Sequence, residues 1–229
     1  MSFHRELGAA TQAGQAFLQS APVIQRCLDG GATRGLYLAF LTQAWHHVRH
    51  TVPLLMGVGS RLPERHVALG RDILHYLEEE QGHDDWILDD IAAAGGDRVR
   101  AATSRPSMET DAMVAYAWDT VQRRNPIGFF GMVFVLEGTS VALALRAADR
   151  IQETLGLPDR AFTYLRSHGR LDQEHVQHLA GILDRLVLAE DRDAVLDCAR
   201  TMFWLYGQVF RGLEAASSVV EPAGLRRSA

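Results

Sequence analysis

Apolar residues recur at three- and four-residue spacing along almost the whole of this 229-residue chain, and no convincing alternating apolar–polar run appears. That periodicity dictates helices and offers nothing from which to build a sheet. Helices are predicted at 3–19, 33–57, 63–94, 108–123, 126–155, 158–187 and 190–217. Asn125-Pro126 reads as an N-cap followed by proline at the first helical position. Pro158-Asp159 opens the next helix in a similar way, Gly95-Gly96 stops the 63–94 segment, and Pro53 predicts a kink or break just before it. The expected fold class is all-α: one bundle of about seven helices over residues 1–229, with a frayed polar tail at 220–229.

Composition narrows the functional classes. A net charge of −5 with no concentrated basic face excludes nucleic acid as a partner. The longest apolar run, Ile127 to Leu136, is interrupted by Gly128 and Gly131 and falls short of the ~20 residues that span a bilayer. The N-terminus lacks the apolar region of a signal peptide, so a cytoplasmic protein with no membrane partner is expected. Two cysteines, Cys27 and Cys198, cannot form a disulfide framework or a thiolate zinc site. All 23 basic residues are arginine, which GC-rich codon usage would explain. Without lysine, the chain cannot form a Schiff base, supply a P-loop lysine or anchor pyridoxal phosphate.

The chemistry-bearing pattern lies in the segment 158–187. His168, Asp172 and His175 stand at i, i+4 and i+7 on one stripe, which continues through Tyr164, Leu171, Leu179 and Ile182. Polar ligand-type residues thus interrupt an inward-facing apolar stripe, where an unpaired aspartate would cost several kcal/mol. Composition alone yields roughly 0.05 such triplets by chance. The competing reading is a core histidine satisfied by its Asp partner.

Two further segments weigh against that reading. In Glu-Glu-Glu-Gln-Gly-His, Glu80 and His83 are three apart, and on one continuous helix they converge from the same face. Glu80 lies nearer than Glu79 to the apolar side marked by Ile73, Leu77, Ile87 and Ile91. Glu137 sits in the most hydrophobic helix, within a quarter-turn of Phe130, Val133, Phe134, Val141 and Ala144, and so points into the core. A lone buried glutamate needs a partner. Three carboxylates (Glu80, Glu137, Asp172) and three imidazoles (His83, His168, His175) form a mixed N/O set without thiolate. Such a set suits a pair of iron ions, as Fe²⁺, or a Mn/Fe pair. Zinc competes, but six inward ligands are too many for one tetrahedral site. A fourth helix offers His46 or His47 as a possible seventh ligand. Tyr76 and Tyr164 share the metal-facing stripes. Arg49, Arg123, Arg124, Arg166 and Arg170 are candidates for gripping a substrate carboxylate.

In chain order, Glu80-x-x-His83, then Glu137, then His168-x3-Asp172-x2-His175 resembles the haem-oxygenase-like di-iron oxidases, including CADD-like proteins and iron-containing redox enzymes. The resemblance spans nearly the whole chain. It implies a haem-oxygenase-like bundle of seven or eight helices, often a homodimer, with a non-haem di-iron centre. It also implies O₂-dependent oxidation of a small-molecule substrate such as an amino acid or fatty acid. Some CADD-like proteins sacrifice a lysine in making p-aminobenzoate, a route closed to a chain without one. Two alternatives stand beside this: a non-catalytic metal- or ligand-binding bundle, and a metal-free enzyme like TenA or PqqC.

Overall fold

The computed structural model describes the backbone of residues 2–220 and, within that range, all side chains except those of residues 170, 173 and 215–220. Of the expected frayed tail, 220–229, residue 220 still belongs to the last helix and residues 221–229 lie outside the described residues. The helices are α1 (Phe3–Ala10), α2 (Gln12–Gln19), α3 (Pro22–Leu28), α4 (Arg34–Val48), α5 (Thr51–Ser60), α6 (Gly70–Glu80), α7 (His83–Ala93), α8 (Arg98–Thr103), α9 (Met108–Arg123), α10 (Phe129–Leu155), α11 (Thr163–Asp184) and α12 (Ala189–Val220). Short 3₁₀ turns cover Glu64–Leu69, Pro126–Gly128 and Asp159–Ala161, and no strand occurs among the described residues.

Among the described residues, twelve α-helices replace the seven expected because long periodic segments are cut by local turns that leave the apolar pattern in phase. The segment 3–19 breaks at Thr11, whose φ of −113° and ψ of 5° are not helical. The break expected before Pro53 lies at Arg49-His50, so the proline occupies the first turn of α5. The 63–94 segment divides at Gln81-Gly82. There Gln81 is extended and Gly82 takes φ +87°, a left-handed conformation that glycine adopts without Cβ strain. Other stops match their sequence signals. Asn125 accepts a hydrogen bond from Ile127 N at 3.1 Å, and α7 ends just before Gly95-Gly96.

Packing follows from where the apolar faces point. α10 lies between α11 and α12, and α12 also packs on α2, α4 and α9. One core cluster is built around Phe130, Ile127 and Val135 of the α10 region with Leu179, Ile182 and Leu183 of α11 and Met202 and Phe203 of α12. A second joins Tyr37, Leu41 and Trp45 of α4 to Ile87 and Ile91 of α7 and Phe162. A Cβ on Gly169 would lie 2.7 Å from Leu145 Cγ, so this glycine permits the close approach of α11 to α10. The stretch Pro126–Leu155 is in fact long and apolar enough to cross a membrane, with an 18-residue window of mean hydropathy 1.8. The expectation drawn from the interrupted run Ile127–Leu136 missed this. Here 61% of that window is buried inside the protein, as in the core helix of a bundle.

Candidate metal centre

The helix carrying the His-Asp-His stripe is anchored at its start by a distant acid. Asp90 of α7 is fully buried, and its two oxygens accept from Thr163 N at 2.9 Å and Tyr164 N at 2.8 Å. These are N–H groups that the first turn of α11 cannot satisfy itself. Burial outweighs these bonds and raises the Asp90 carboxyl to about 6. α11 is thereby fixed in rotation, with Tyr164, His168, Asp172, His175, Leu179 and Ile182 turned toward the interior.

The structure brings the six sequence-predicted residues into one region. One ligand atom each from Glu80, His83 and His168 lies within 4.8 Å of the others. Asp172 Oδ1 links this triad to the rest, at 3.5 Å from His168 Nδ1 and 3.3 Å from His175 Nδ1. His175 Nδ1 is also 3.9 Å from Glu137 Oε1. Glu80 and His83 meet at 3.1 Å, but not from one helix face as expected. They meet across the Gly82 turn, Glu80 ending α6 and His83 opening α7. Among the residues flanking Glu137, Val141 proves exposed, whereas Phe130, Phe134 and Ala144 are buried as expected.

Glu79, set aside on the helical wheel, belongs to the cluster too. Its Oε2 is 2.9 Å from His175 Nε2 and 3.2 Å from His75 Nε2. The two early-helix histidines separate. His46 turns to a surface cleft, where its Nε2 lies 2.9 Å from Ser104 Oγ, and so takes no part in the cluster. His47 lines the same cavity as Glu80, Glu137, His168 and Asp172, with its Nδ1 unpartnered. Burial, reinforced by the neighbouring His168, lowers His47 to about 3, so it is a neutral imidazole at physiological pH.

The electrostatics are those of a donor set short of positive charge. Burial, then the nearby Asp172 charge, pushes the Glu137 carboxyl well above the usual range despite the neighbouring Tyr76 hydroxyl. Burial also works against ionised Asp172, but the adjacent His168, His175 and Ser140 outweigh it and hold this carboxyl below its ordinary value. Burial disfavours charge on His175 as well, yet the adjacent Asp172 and the Glu79 charge raise it on balance. Unpartnered buried polar atoms concentrate here: Glu137 Oε2, Asp172 Oδ1, His168 Nε2 and both ring nitrogens of His175. Buried polar atoms are rarely left so, and several N and O donors converging without thiolate fit iron.

The cluster forms one end of a cavity of about 160 Å³. The other end is aliphatic and aromatic, with walls from α3, α4, α10 and α12 that include Ile24, Leu28, Phe40, Leu143, Ile151 and Leu213. Among the described side chains no arginine lines it. Arg49 opens onto the His46 cleft, Arg123 and Arg124 pair with Asp119, and Arg166 pairs with Asp149 and Asp159. These four are therefore not substrate clamps in this cavity, and the Arg170 side chain lies outside those described. The cysteines also stand apart from the cluster. Cys27 is at the aliphatic end, and Cys198 is buried in the core with its thiol pushed up to about 12.

A family model for iron-containing redox enzymes matches residues 38–207, most of the chain and all six clustered residues. The chain belongs to that family. A search of curated proteins finds none that matches it. Solved structures share the fold over nearly their whole length. A Shewanella denitrificans domain of unknown function with a heme oxygenase-like fold is 23% identical, with TM-score 0.84, covering 100% of this chain and 99% of that one. A TenA homologue from P. horikoshii is 10% identical, with TM-score 0.78 and coverages of 94% and 100%. A CADD-like protein from Nostoc punctiforme is 16% identical, with TM-score 0.69 and coverages of 95% and 100%. This iron-containing redox enzyme family member therefore has the haem-oxygenase-like fold.

Proposed function

We propose that this family member is a non-haem di-iron oxidase or oxygenase that uses O₂ to oxidise a small molecule with an extended aliphatic body. The observation that carries the reading is the junction, in one cavity, of a buried acid–imidazole cluster and a long apolar arm. Glu80, His83 and His168 would hold one ion and Glu137, Asp172 and His175 the other, with His47 available beside them. Bound as Fe(II), or as a Mn/Fe pair, the metals supply O₂ binding and activation at open coordination positions.

The chain's own residues do the rest. Glu79 lies against His175 Nε2, on the side of the ring opposite to Nδ1, which approaches Asp172 and Glu137. Tyr76 shares the cavity wall with Glu137 and packs edge-on against His175. The apolar arm excludes water and receives the substrate body. α10 lines it from Glu137 to Ile151, about 21 Å at 1.5 Å per residue. With no arginine on the described wall, the substrate's polar end is met by the cluster itself and by the hydroxyls of Ser140 and Thr139. An amino-acid-like or fatty-acid-like molecule with an unbranched chain matches this division.

The test is O₂ uptake by iron-loaded protein across a series of straight-chain acids and amines. Uptake should depend on substrate and peak at one chain length. Ala147→Phe fills the arm about 15 Å along α10 from Glu137. It should move that peak to shorter chains, with the longest substrate bound about tenfold more weakly, the worth of two methylenes. Iron-loaded protein that consumes no O₂ with any member of the series would instead be a binding bundle.

A further inference from the structure

Three aromatic side chains touch imidazoles of the cluster. Tyr76 meets His175 edge-on at 5.8 Å between centroids, and Tyr164 meets His168 edge-on at 4.8 Å. Trp86 instead lies over His83, with centroids 4.1 Å apart and ring planes at 30°. Both tyrosines are buried, whereas Trp86 is partly exposed on α7. The three rings also differ in redox chemistry. A phenol must shed its proton as it loses an electron, and both phenols are buried, the Tyr76 hydroxyl with no hydrogen-bond partner to take that proton. An indole can lose an electron and keep its proton. Trp86 is therefore the ring that combines contact with a cluster imidazole, access to solvent and oxidation without an internal base.

We propose that Trp86 is a redox-active residue that gives one electron to the iron pair when O₂ is reduced with no substrate bound, and is then refilled from solution. The inference rests on the di-iron reading above and adds a role to a residue outside the ligand set. The electron count closes. Reducing one O₂ to two waters takes four electrons and four protons. Two Fe(II) ions supply two electrons, Trp86 the third, and a small one-electron donor of the ascorbate class the fourth. Trp86 is left as an indole radical cation, and a second equivalent of the donor returns it to the closed-shell ring. Through this route an unused oxidising equivalent leaves by way of His83 rather than attacking the ligands.

The experiment mixes full-length Fe(II)-loaded protein with O₂ and one equivalent of ascorbate, without substrate, and freeze-quenches it for electron paramagnetic resonance. Wild type, Trp86→Phe and Trp204→Phe are compared, with iron content measured on each. Phenylalanine keeps a ring against His83 but oxidises far less readily, so iron content should stay unchanged while the indole radical falls at least about tenfold. Trp204→Phe, which alters an exposed tryptophan of α12, should retain the full signal. A radical of equal size in Trp86→Phe, or no indole radical in wild type as its iron oxidises, overturns the role of Trp86. Wild-type protein that takes up no iron overturns the di-iron reading itself, and this proposal with it.

Discussion

Replacing His168 with alanine is expected to weaken iron binding at least about 100-fold while leaving the helices in place. His168 joins the two halves of the cluster. It belongs to the triad with Glu80 and His83, and its Nδ1 faces Asp172 at 3.5 Å. Its Nε2 is buried without a partner, a lone pair or N–H that the protein itself does not satisfy. Losing a residue that merely orients a ligand costs 10–100-fold in metal affinity, so losing a ligand costs more. The fold should tolerate the change, because the helix is held by the Asp90 cap and by Leu179, Ile182 and Leu183 in the core. Iron titration by absorbance and the far-ultraviolet circular dichroism of the same sample check both halves. Unchanged iron affinity, or a lost helical spectrum, would contradict this account of His168.

Asp191→Ala should produce the largest loss of stability, about 3–5 kcal/mol, because it removes a fully buried carboxylate shared by three polar partners, Arg65, Asn125 and His66. Asp191 is fully buried in the first turn of α12 and draws together three segments. It accepts from Arg65 at 3.0 Å, from Asn125 Nδ2 at 2.7 Å, and meets His66 Nε2 at 2.7 Å. The 3₁₀ turn at Glu64–Leu69 and the start of the α10 region are thus tied to α12 by one carboxylate. In a chain of this size the loss corresponds to a melting temperature lower by about 10 °C. Its pH dependence has a definite sign. Burial opposes ionised Asp191, but the bonds from Arg65, Asn125 and His66 outweigh it and depress the folded-state value. The stabilisation is therefore present above the ordinary carboxylate range and is lost as pH falls through the depressed value. Melting curves of wild type and Asp191→Ala should converge toward acid pH. A gap under about 2 °C at neutral pH, or one that persists unchanged into acid, would refute this role.

What the sequence made legible was set by how local each signal is. The His168, Asp172 and His175 stripe could be read because polarity and helical period coincide on one element. Glu137 could be read because a single acid stands out in an apolar helix. Glu80 and His83 were paired on a false premise, since the pair forms across the Gly82 turn. That glycine was visible in Glu-Glu-Glu-Gln-Gly-His, but its punctuation was outweighed by the apolar period running through it. Glu79 was unreadable, because its contact to His175 depends on how α6 and α11 pack. The choice between His46 and His47 also rested on packing, since α4 is buried on almost all sides and neighbouring residues face a cleft and a cavity. Asp90 and Asp191 act on chain segments 73 and 66 residues away, respectively, beyond any local pattern.

The central claim is that these acids and imidazoles gather to bind iron, and anaerobic titration of metal-free wild-type protein with Fe(II) tests it most directly. The account predicts saturation at two ions per chain, with a melting temperature that rises as the ions bind. A protein that binds no Fe(II), and melts at the same temperature with and without it, would contradict the account at its root.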